Sequence, residues 1–218
     1  MKSPFARPLY VMAKPAGSTC NLACSYCYYL DKQRLYNPAD KRHYMSEEML
    51  DLFTRRYLEA QTQKEVCFTW HGGEALLRPL DFYRKAVELQ KRYGEGRQIL
   101  NCLQTNGTLL TDEWCRFLRE EQWLVGLSID GPQEFHDEYR RNRAGVPSFL
   151  NVMRAVRMLN AHNVEWNAMA VVNDFNSEHP EEFYDFFKSI NCRFIQFAPI
   201  VERLTEAGDI AGGAERGD

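Results

Sequence analysis

The stretch Cys20-Asn-Leu-Ala-Cys24-Ser-Tyr-Cys27 places three cysteines on one short segment, with three residues between the first two and two between the last two. It comes soon after the apolar run at residues 9–12, which predicts a strand. Cysteine thiolates at such short spacings hold iron–sulfur clusters. Three thiolates on a four-iron cluster would leave one iron without a protein ligand, and an open iron can react with another molecule.

Zinc binding and disulfide formation are the two other uses of clustered cysteines. A zinc site needs four nitrogen or sulfur ligands, yet the next candidate, His43, follows sixteen residues after Cys27 without a second short pair. The three cysteines are odd in number, residues 1–10 lack the apolar core of a secretory signal, and disulfides are rare in the cytosol. The spacing therefore favours a cluster over either alternative.

The composition fits a single globular domain. The chain has 218 residues, of which 44% are hydrophobic and 13% aromatic, which is enough to bury a core. A net charge of −3 argues against a nucleic-acid partner, and no apolar run approaches the ~20 residues that span a bilayer. We expect a cytoplasmic protein with no membrane partner. The four other cysteines stand singly in apolar segments and are interpreted as core residues: Cys67, Cys102, Cys115 and Cys192.

Apolar runs alternate with amphipathic stretches along the chain. Strands are predicted at residues 9–12, 66–70, 98–104, 123–129, 164–172 and 193–198. Helices are predicted between them: after Ser46, with Met49, Phe53 and Tyr57 on one face; before Gly94; and after Thr111, Ser148 and Pro180.

Strands that alternate with helices indicate βαβ units, a parallel sheet and right-handed crossovers. Six such units are too few for a closed eight-stranded barrel, so we expect an α/β fold that forms an open partial (β/α)6 barrel with outer helices. No single residue excludes a doubly wound sheet. Polar groups that follow the carboxyl ends of strands nevertheless favour the barrel, because barrel active sites form there. We assign residues 1–203 to one core domain and residues 204–218 to a disordered tail.

Three motifs follow predicted strands. His71-Gly72-Gly73-Glu74 follows the second strand, residues 103–108 (Leu-Gln-Thr-Asn-Gly-Thr) follow the third, and Ser128-Ile-Asp-Gly-Pro132 follows the fourth. Each motif taken alone is also typical of a tight turn. Paired glycines additionally let the backbone approach a ligand closely.

The cysteine spacing with Tyr26 before the last cysteine resembles the C-x3-C-x-aromatic-C motif of the radical S-adenosylmethionine (SAM) superfamily. Together with the three strand-end motifs, His136, Arg140 and residues 194–197, it resembles the anaerobic sulfatase-maturating enzymes over about residues 9–203. The resemblance implies the radical SAM type of barrel. It also implies one 4Fe-4S cluster held by Cys20, Cys24 and Cys27, and SAM contacts at Tyr26, Gly72, Gly73, Glu74, Ser128, Arg140 and Ile195.

In that family an electron from a reducing donor cleaves SAM, and the resulting 5′-deoxyadenosyl radical takes a hydrogen from the Cβ of a cysteine or serine. The target residue lies on a sulfatase polypeptide and becomes Cα-formylglycine. The resemblance therefore implies an oxidoreductase whose partners are a sulfatase or other peptide and an electron donor. The protein would supply orientation and exclusion of water.

The sequence also departs from the family. The family commonly has Gln at the place of His71 and Pro at the place of Ala75. Its members continue into a cysteine-rich domain with two auxiliary clusters and a proton-accepting aspartate, and this sequence stops before both. We therefore expect the N-terminal SAM-binding part of a maturase, and leave its catalytic residue unassigned. The alternatives are another peptide-modifying radical SAM maturase, or a remnant that binds cluster and SAM without turnover.

Overall fold

The computed structural model describes residues 9–32 and 43–200. The end of the predicted core domain at residue 203 and the predicted tail at 204–218 lie outside these residues. Six strands are present: β1 Met12–Ala13, β2 Glu65–Trp70, β3 Gln98–Thr105, β4 Leu124–Ser128, β5 Trp166–Val172 and β6 Ile195–Pro199. The helices are α1 Tyr28–Lys32, α2 Glu47–Ala60, α3 Leu80–Tyr93, α4 Asp112–Glu120, α5 Gln133–Tyr139, α6 Phe149–Ala161, α7 Asp174–Ser177 and α8 Pro180–Ser189.

The six strands form one parallel sheet in the order in which they occur along the chain, β1 to β6. When every crossover is right-handed and steps in the same direction, all the connecting helices lie on one face of the sheet. This is the arrangement of a barrel, and it differs from a doubly wound sheet, in which the strand order reverses. The predicted open (β/α)6 arrangement is confirmed, with β1 and β6 at the two edges.

The core lies between the sheet and its helices. On β2, Phe68 and Trp70 are fully buried and contact aromatic rings of α2 and α3, with Phe68 5.0 Å from Tyr57 and Trp70 5.6 Å from Tyr83 between ring centroids. Within this layer the side chain of Asn101 on β3 accepts a hydrogen bond from the Trp70 indole at 2.9 Å and bonds to the side chain of Gln90 on α3. Along β2 and β3 the side chains that point to the opposite face are only half-buried or exposed.

The ends of several elements differ from the predictions. β1 is confined to two residues, because the preceding Tyr10 is 80% exposed and makes no ladder with β2. Met49 is 51% exposed, and the buried face of α2 is formed by its neighbour Leu50 with Thr54, Tyr57 and Leu58. Ser148 precedes α6 as predicted, but its hydroxyl does not cap the helix.

Two predicted helix caps are confirmed. The Ser46 side chain accepts a hydrogen bond from the Met49 amide, and the Thr111 side chain accepts one from the Trp114 amide. Both bonds satisfy amides that a helix start leaves without a partner. Within the described part of the chain, no helix combines the length and the apolar character needed to cross a membrane.

Candidate functional site

The cysteine loop, residues 14–27, runs from the end of β1 to the start of α1 and is held from two sides. The Ala23 amide donates to the Arg141 carbonyl at 2.7 Å, and the Ser25 amide donates to the Tyr139 carbonyl at 3.1 Å. On the other side the Glu74 amide donates to the Thr19 carbonyl at 2.8 Å. The loop is therefore fixed by backbone bonds to the segments that follow β2 and α5.

Gly72 and Gly73 let the loop approach the end of β2. Gly72 has a φ of +124°, and a Cβ there would lie 2.7 Å from the Gly17 carbonyl oxygen. A Cβ on Gly73 would overlap the carbonyl oxygens of Ser18 and Thr19. Only glycine fits at either position, since any side chain would push the segment before Cys20 away from the strand end.

Cys20 already has nitrogen donors directed at its sulfur. The Leu22 amide lies 3.4 Å and the Asn106 side-chain nitrogen 3.7 Å from Cys20 Sγ. Asn106 is held by a second bond, 2.9 Å, to the side-chain oxygen of Asn21. Hydrogen bonds to sulfur stabilise a metal-bound thiolate and tune the potential of a cluster.

Hydrogen bonds to sulfur favour the thiolate, whereas burial disfavours the thiolate form of the free cysteines. It raises the pKa of Cys20 to about 12, and it raises the pKa of Cys24, although the nearby Arg140 charge opposes the rise at Cys24. Both side chains are therefore protonated at neutral pH until a metal displaces the proton.

The donor set fits an iron–sulfur cluster. Within residues 9–32 and 43–200, no three His, Cys, Asp or Glu side chains converge as the ligands of a single metal ion do, and His43 forms no such group with the cysteines. The cysteines of a cluster bind different iron atoms, so they need not converge on one point. Three thiols on one fixed loop, with two N–H groups directed at the first sulfur, match that requirement.

A buried charged network lies beside the cysteine loop. Arg140 donates to Asp130 through Nε at 2.7 Å and through its second terminal nitrogen at 3.1 Å, and the Tyr26 hydroxyl donates to Asp130 at 2.5 Å. The Val171 amide on β5 is a fourth donor, at 2.9 Å. Although burial by itself raises the pKa of Asp130, the Arg140 charge and hydrogen bond outweigh it and hold that pKa below its ordinary value.

His136 on α5 connects the Asp130–Arg140 network to Ser148. Its Nδ1 accepts the Asp130 amide at 3.3 Å, and its Nε2 lies 3.0 Å from the Ser148 hydroxyl, which donates to the Arg140 carbonyl at 2.8 Å. Burial, and next the Arg140 charge, lower the pKa of His136 to about 3, so the ring is neutral. The Ser148 hydroxyl thus bonds to the turn after α5, which explains why it does not cap α6.

Glu74 is fully buried but bonds only to neutral groups. Its carboxylate accepts from the Leu76 amide at 2.8 Å, the Thr105 hydroxyl at 2.7 Å and the Asn106 amide at 2.8 Å. Burial raises the pKa of Glu74, and the three hydrogen bonds only partly offset this. The side chain therefore ties the end of β2 to the end of β3 and holds Asn106 next to Cys20.

Ser128 and Ile195 lie further along the sheet. Ser128 ends β4 and accepts a hydrogen bond from the Gln104 side chain at 2.9 Å. Gly126 makes room for that side chain, because a Cβ there would overlap the Gln104 amide oxygen. Ile195 begins β6, where it pairs with Ala168 and packs against the core. Of the predicted site residues, the structure brings Tyr26, Gly72, Gly73, Glu74 and Arg140 to the cysteine loop, and leaves Ile195 at the far edge.

Sequence reasoning assigned no role to Asp130, Asn106 or Gln104. Asp130 and Asn106 stood in the quoted motifs, where a polar residue directly after a buried strand was the available signal. Gln104 also stood in a quoted motif, but its contact with Ser128 across Gly126 depends on the register of β3 and β4.

A family model described as the radical SAM superfamily matches residues 15–187. The serine-type anaerobic sulfatase-maturating enzyme of Bacteroides thetaiotaomicron is 64% identical over 207 residues, covering 95% of this chain and 50% of that protein. A cysteine-type anaerobic sulfatase-maturating enzyme of Clostridium perfringens is 37% identical over 202 residues, covering 91% of this chain and 54% of that protein.

A solved structure, native anSMEcpe with bound AdoMet and Cp18Cys peptide, matches with a TM-score of 0.81 at 36% identity. The match covers 89% of this chain and 52% of that one. The chain thus spans about half the length of the curated relatives and of the solved structure it matches. The extent of the family match, the parallel six-stranded sheet and the three-cysteine loop at its edge agree, and the chain belongs to the radical SAM superfamily.

Proposed function

We propose that this chain is the SAM-binding core of an anaerobic sulfatase maturase that oxidises a serine of a sulfatase polypeptide to Cα-formylglycine. One observation supports the proposal most directly. The cysteine loop, the Gly72-Gly73 turn and the Asp130–Arg140 pair converge at the carboxyl ends of the strands. The 64% identity to a serine-type enzyme, against 37% to a cysteine-type enzyme, favours serine as the target.

In this proposal Cys20, Cys24 and Cys27 hold one 4Fe-4S cluster, as their shared loop and the N–H groups at Cys20 support. When bound, the cluster and SAM would supply the radical chemistry that removes a hydrogen from the substrate. The chain's own residues bind SAM and orient it. Gly72 and Gly73 carry no side chains of their own, so the backbone at this turn can approach the amino group of SAM closely.

Arg140 supplies a fixed positive charge in this site. Asp130 binds the guanidinium through two hydrogen bonds, so its orientation is set before any ligand arrives. Tyr26 lies against the same pair, with the Arg140 guanidinium 5.6 Å from the centre of its ring. We assign SAM contacts to Tyr26 and Arg140, and to Ser128 and Ile195 further along the sheet. Glu74 acts through the loop, because its carboxylate is bonded to Leu76, Thr105 and Asn106.

The remaining assignments concern the whole protein. We assign residues 1–203 to the radical SAM domain and residues 204–218 to a tail that follows it. A reducing electron donor and a sulfatase peptide are the partners, and the cytoplasm is the compartment, where thiols such as the seven of this chain stay reduced.

Iron content tests the cluster assignment. After anaerobic reconstitution we expect about four irons per chain, since only one group of cysteines has cluster spacing. Cys24→Ala should abolish the cluster. Cys115→Ala is the matched control and should retain it, because Cys115 is fully buried in the core on α4. Equal iron loss in both variants, or eight irons per chain, would contradict the assignment.

The substrate is tested with the full-length protein that contains this chain, reduced and supplied with SAM. A sulfatase peptide with serine at the target position should lose the mass of two hydrogens and gain an aldehyde that hydrazide reagents trap. The same peptide with alanine at that position is the control. Formation of 5′-deoxyadenosine without an aldehyde on either the serine or the cysteine peptide would retain the radical SAM assignment and refute the sulfatase assignment.

A further inference from the structure

Cys67 and Cys102 lie side by side on neighbouring strands, β2 and β3. Their sulfur atoms are 3.6 Å apart, although the residues are 35 positions apart in the sequence. The prediction that both are isolated core cysteines is therefore wrong. They lie on the face of the sheet opposite the helices, because the residues flanking Cys67, Val66 and Phe68, are the buried ones. Both cysteines are only half-buried, so a small molecule can reach that face.

The two sulfurs are not equivalent. The two sulfurs are within hydrogen-bond distance and either thiol can donate, but only Cys67 has a further polar neighbour, the Thr69 hydroxyl at 3.9 Å from its Sγ. The hydrogen bond with Cys102 outweighs burial and lowers the pKa of Cys67 to about 6, while the same bond raises the pKa of Cys102. The contact between the two sulfurs therefore favours ionisation of one thiol of the pair, and the Thr69 hydroxyl beside Cys67 makes that sulfur the candidate thiolate.

We propose that Cys67 and Cys102 form a reactive dithiol that hydroperoxides oxidise to a disulfide, with Cys67 as the attacking and Cys102 as the resolving cysteine. This site is separate from the proposed cluster and does not depend on the proposed substrate. An accessible thiolate with a second thiol in contact is the arrangement typical of peroxide-sensitive cysteines.

The step balances with hydrogen peroxide as the oxidant. The Cys67 thiolate attacks one peroxide oxygen, the O–O bond breaks, and Cys67 becomes a sulfenic acid while hydroxide leaves. Cys102 Sγ then attacks Cys67 Sγ, the S–O bond breaks, and the departing hydroxide combines with the proton of the Cys102 thiol as water. The two cysteines lose two electrons, and one peroxide is reduced to one hydroxide and one water.

The contact of the two sulfur atoms, 3.6 Å apart, makes the bond possible although the cysteines are not paired directly in the sheet. Cys102 pairs with Thr69 and Cys67 pairs with Leu100, so the two cysteines are diagonal neighbours across the ladder. A disulfide needs its sulfurs at about 2.05 Å, so the side chains must close the present gap while the ladder holds the strands. Exposed disulfides are more readily reduced than buried ones, and both cysteines are only half-buried. We expect a dithiol reagent to restore both thiols.

Mass spectrometry of the full 218-residue chain tests the proposal. The chain is prepared under argon with and without its cluster, treated with one equivalent of hydrogen peroxide, alkylated and digested with trypsin. We expect a linked pair of peptides joined through Cys67 and Cys102 in most molecules, and its loss after dithiothreitol. The chain unfolded in urea is the control, and it should show no preference for this pair.

Two variants separate the roles of the cysteines. In Cys102→Ser, Cys67 should stop at the sulfenic acid and be captured by dimedone. In Cys67→Ser, Cys102 should remain a free thiol that is alkylated and not captured. Alkylation of both Cys67 and Cys102 in both preparations of the unsubstituted chain would overturn the proposal, and so would dimedone capture of Cys102 in Cys67→Ser.

Discussion

Glu74 and Asp130 are two buried carboxylates that follow β2 and β4 at the same end of the sheet, and their surroundings differ in charge. Glu74 accepts three hydrogen bonds from neutral donors, whereas Asp130 accepts two of its four from the Arg140 guanidinium. Burial raises the pKa of Glu74, but at Asp130 the Arg140 charge outweighs burial and lowers the pKa. Glu74 therefore holds backbone segments together, whereas Asp130 holds the Arg140 guanidinium in place.

In the proposed function, this difference separates a residue that supports the cysteine loop from one that prepares ligand binding. The donors to Glu74 join the ends of β2 and β3, and none of them is a cation that could face a ligand. A carboxylate that orients a guanidinium prepares a charged group in advance, which favours binding because little reorganisation remains. The comparison therefore assigns Glu74 to the architecture of the cysteine loop and Asp130 to the positioning of Arg140.

The largest effect is expected from Asp130→Asn. It removes the charge that compensates Arg140 inside the protein, where a buried ion pair broken on one side costs about 3–5 kcal/mol. Urea unfolding followed by tryptophan fluorescence measures the free energy of unfolding, because Trp70 and Trp123 are buried.

The double variant Asp130→Asn/Arg140→Met is the control for that prediction. Removing both charges should cost less than the sum of the two single substitutions, because no unpaired charge is left. Additive costs would show that the two residues do not depend on each other.

Glu74→Gln should cost about 2 kcal/mol, because the amide keeps one acceptor oxygen but places an NH2 group against a backbone donor. The loss is smaller than for Asp130→Asn, since no charge is left without its partner. Thr105→Val removes one donor only and serves as a milder variant of the same contact. A loss from Glu74→Gln equal to that from Asp130→Asn would contradict the distinction between the two carboxylates.

The two carboxylates should also affect stability with opposite dependence on pH. The folded-state pKa of Glu74 is raised above 4.5, so its contribution to stability falls as pH rises through that value. The folded-state pKa of Asp130 is lowered below 3.8, so its contribution is present above that value and is lost as pH falls. The free energy of unfolding lost in Glu74→Gln, relative to the unsubstituted chain, should therefore be larger at the acid end of the range than at neutral pH. The free energy lost in Asp130→Asn should be larger at neutral pH than at the acid end. If the two losses changed with pH in the same direction, the distinction between Glu74 and Asp130 would be contradicted.

Local patterns in the sequence predicted the order of strands and helices, because each element has its own period of apolar residues. The cysteine spacing and the capping side chains Ser46 and Thr111 are equally local. The short first strand was not predictable, because a run of apolar residues at an open edge has no partner strand to extend it.

Contacts between distant segments were beyond the sequence. Glu74 and Asp130 both stood in strand-end motifs, but the cation that distinguishes them comes from the end of α5, a helix that the periodicity did not predict. The Cys67–Cys102 contact likewise depends on the register of β2 and β3, which no residue type reports. The sequence therefore identified these side chains but did not show which distant residue each of them contacts.

The smallest effect is expected from Tyr26→Phe, which removes one donor to Asp130 and keeps the ring. The two hydrogen bonds from Arg140 and the one from Val171 remain, so the carboxylate stays compensated. We expect a loss of about 1 kcal/mol in the free energy of unfolding, the usual net contribution of a single hydrogen bond. Tyr139→Phe is the matched control, because its hydroxyl bonds to Asp174 at an exposed position. If Tyr26→Phe were as costly as Asp130→Asn, the phenol and not the guanidinium would be the main partner of Asp130, and the contrast with Glu74, which rests on charge, would fail.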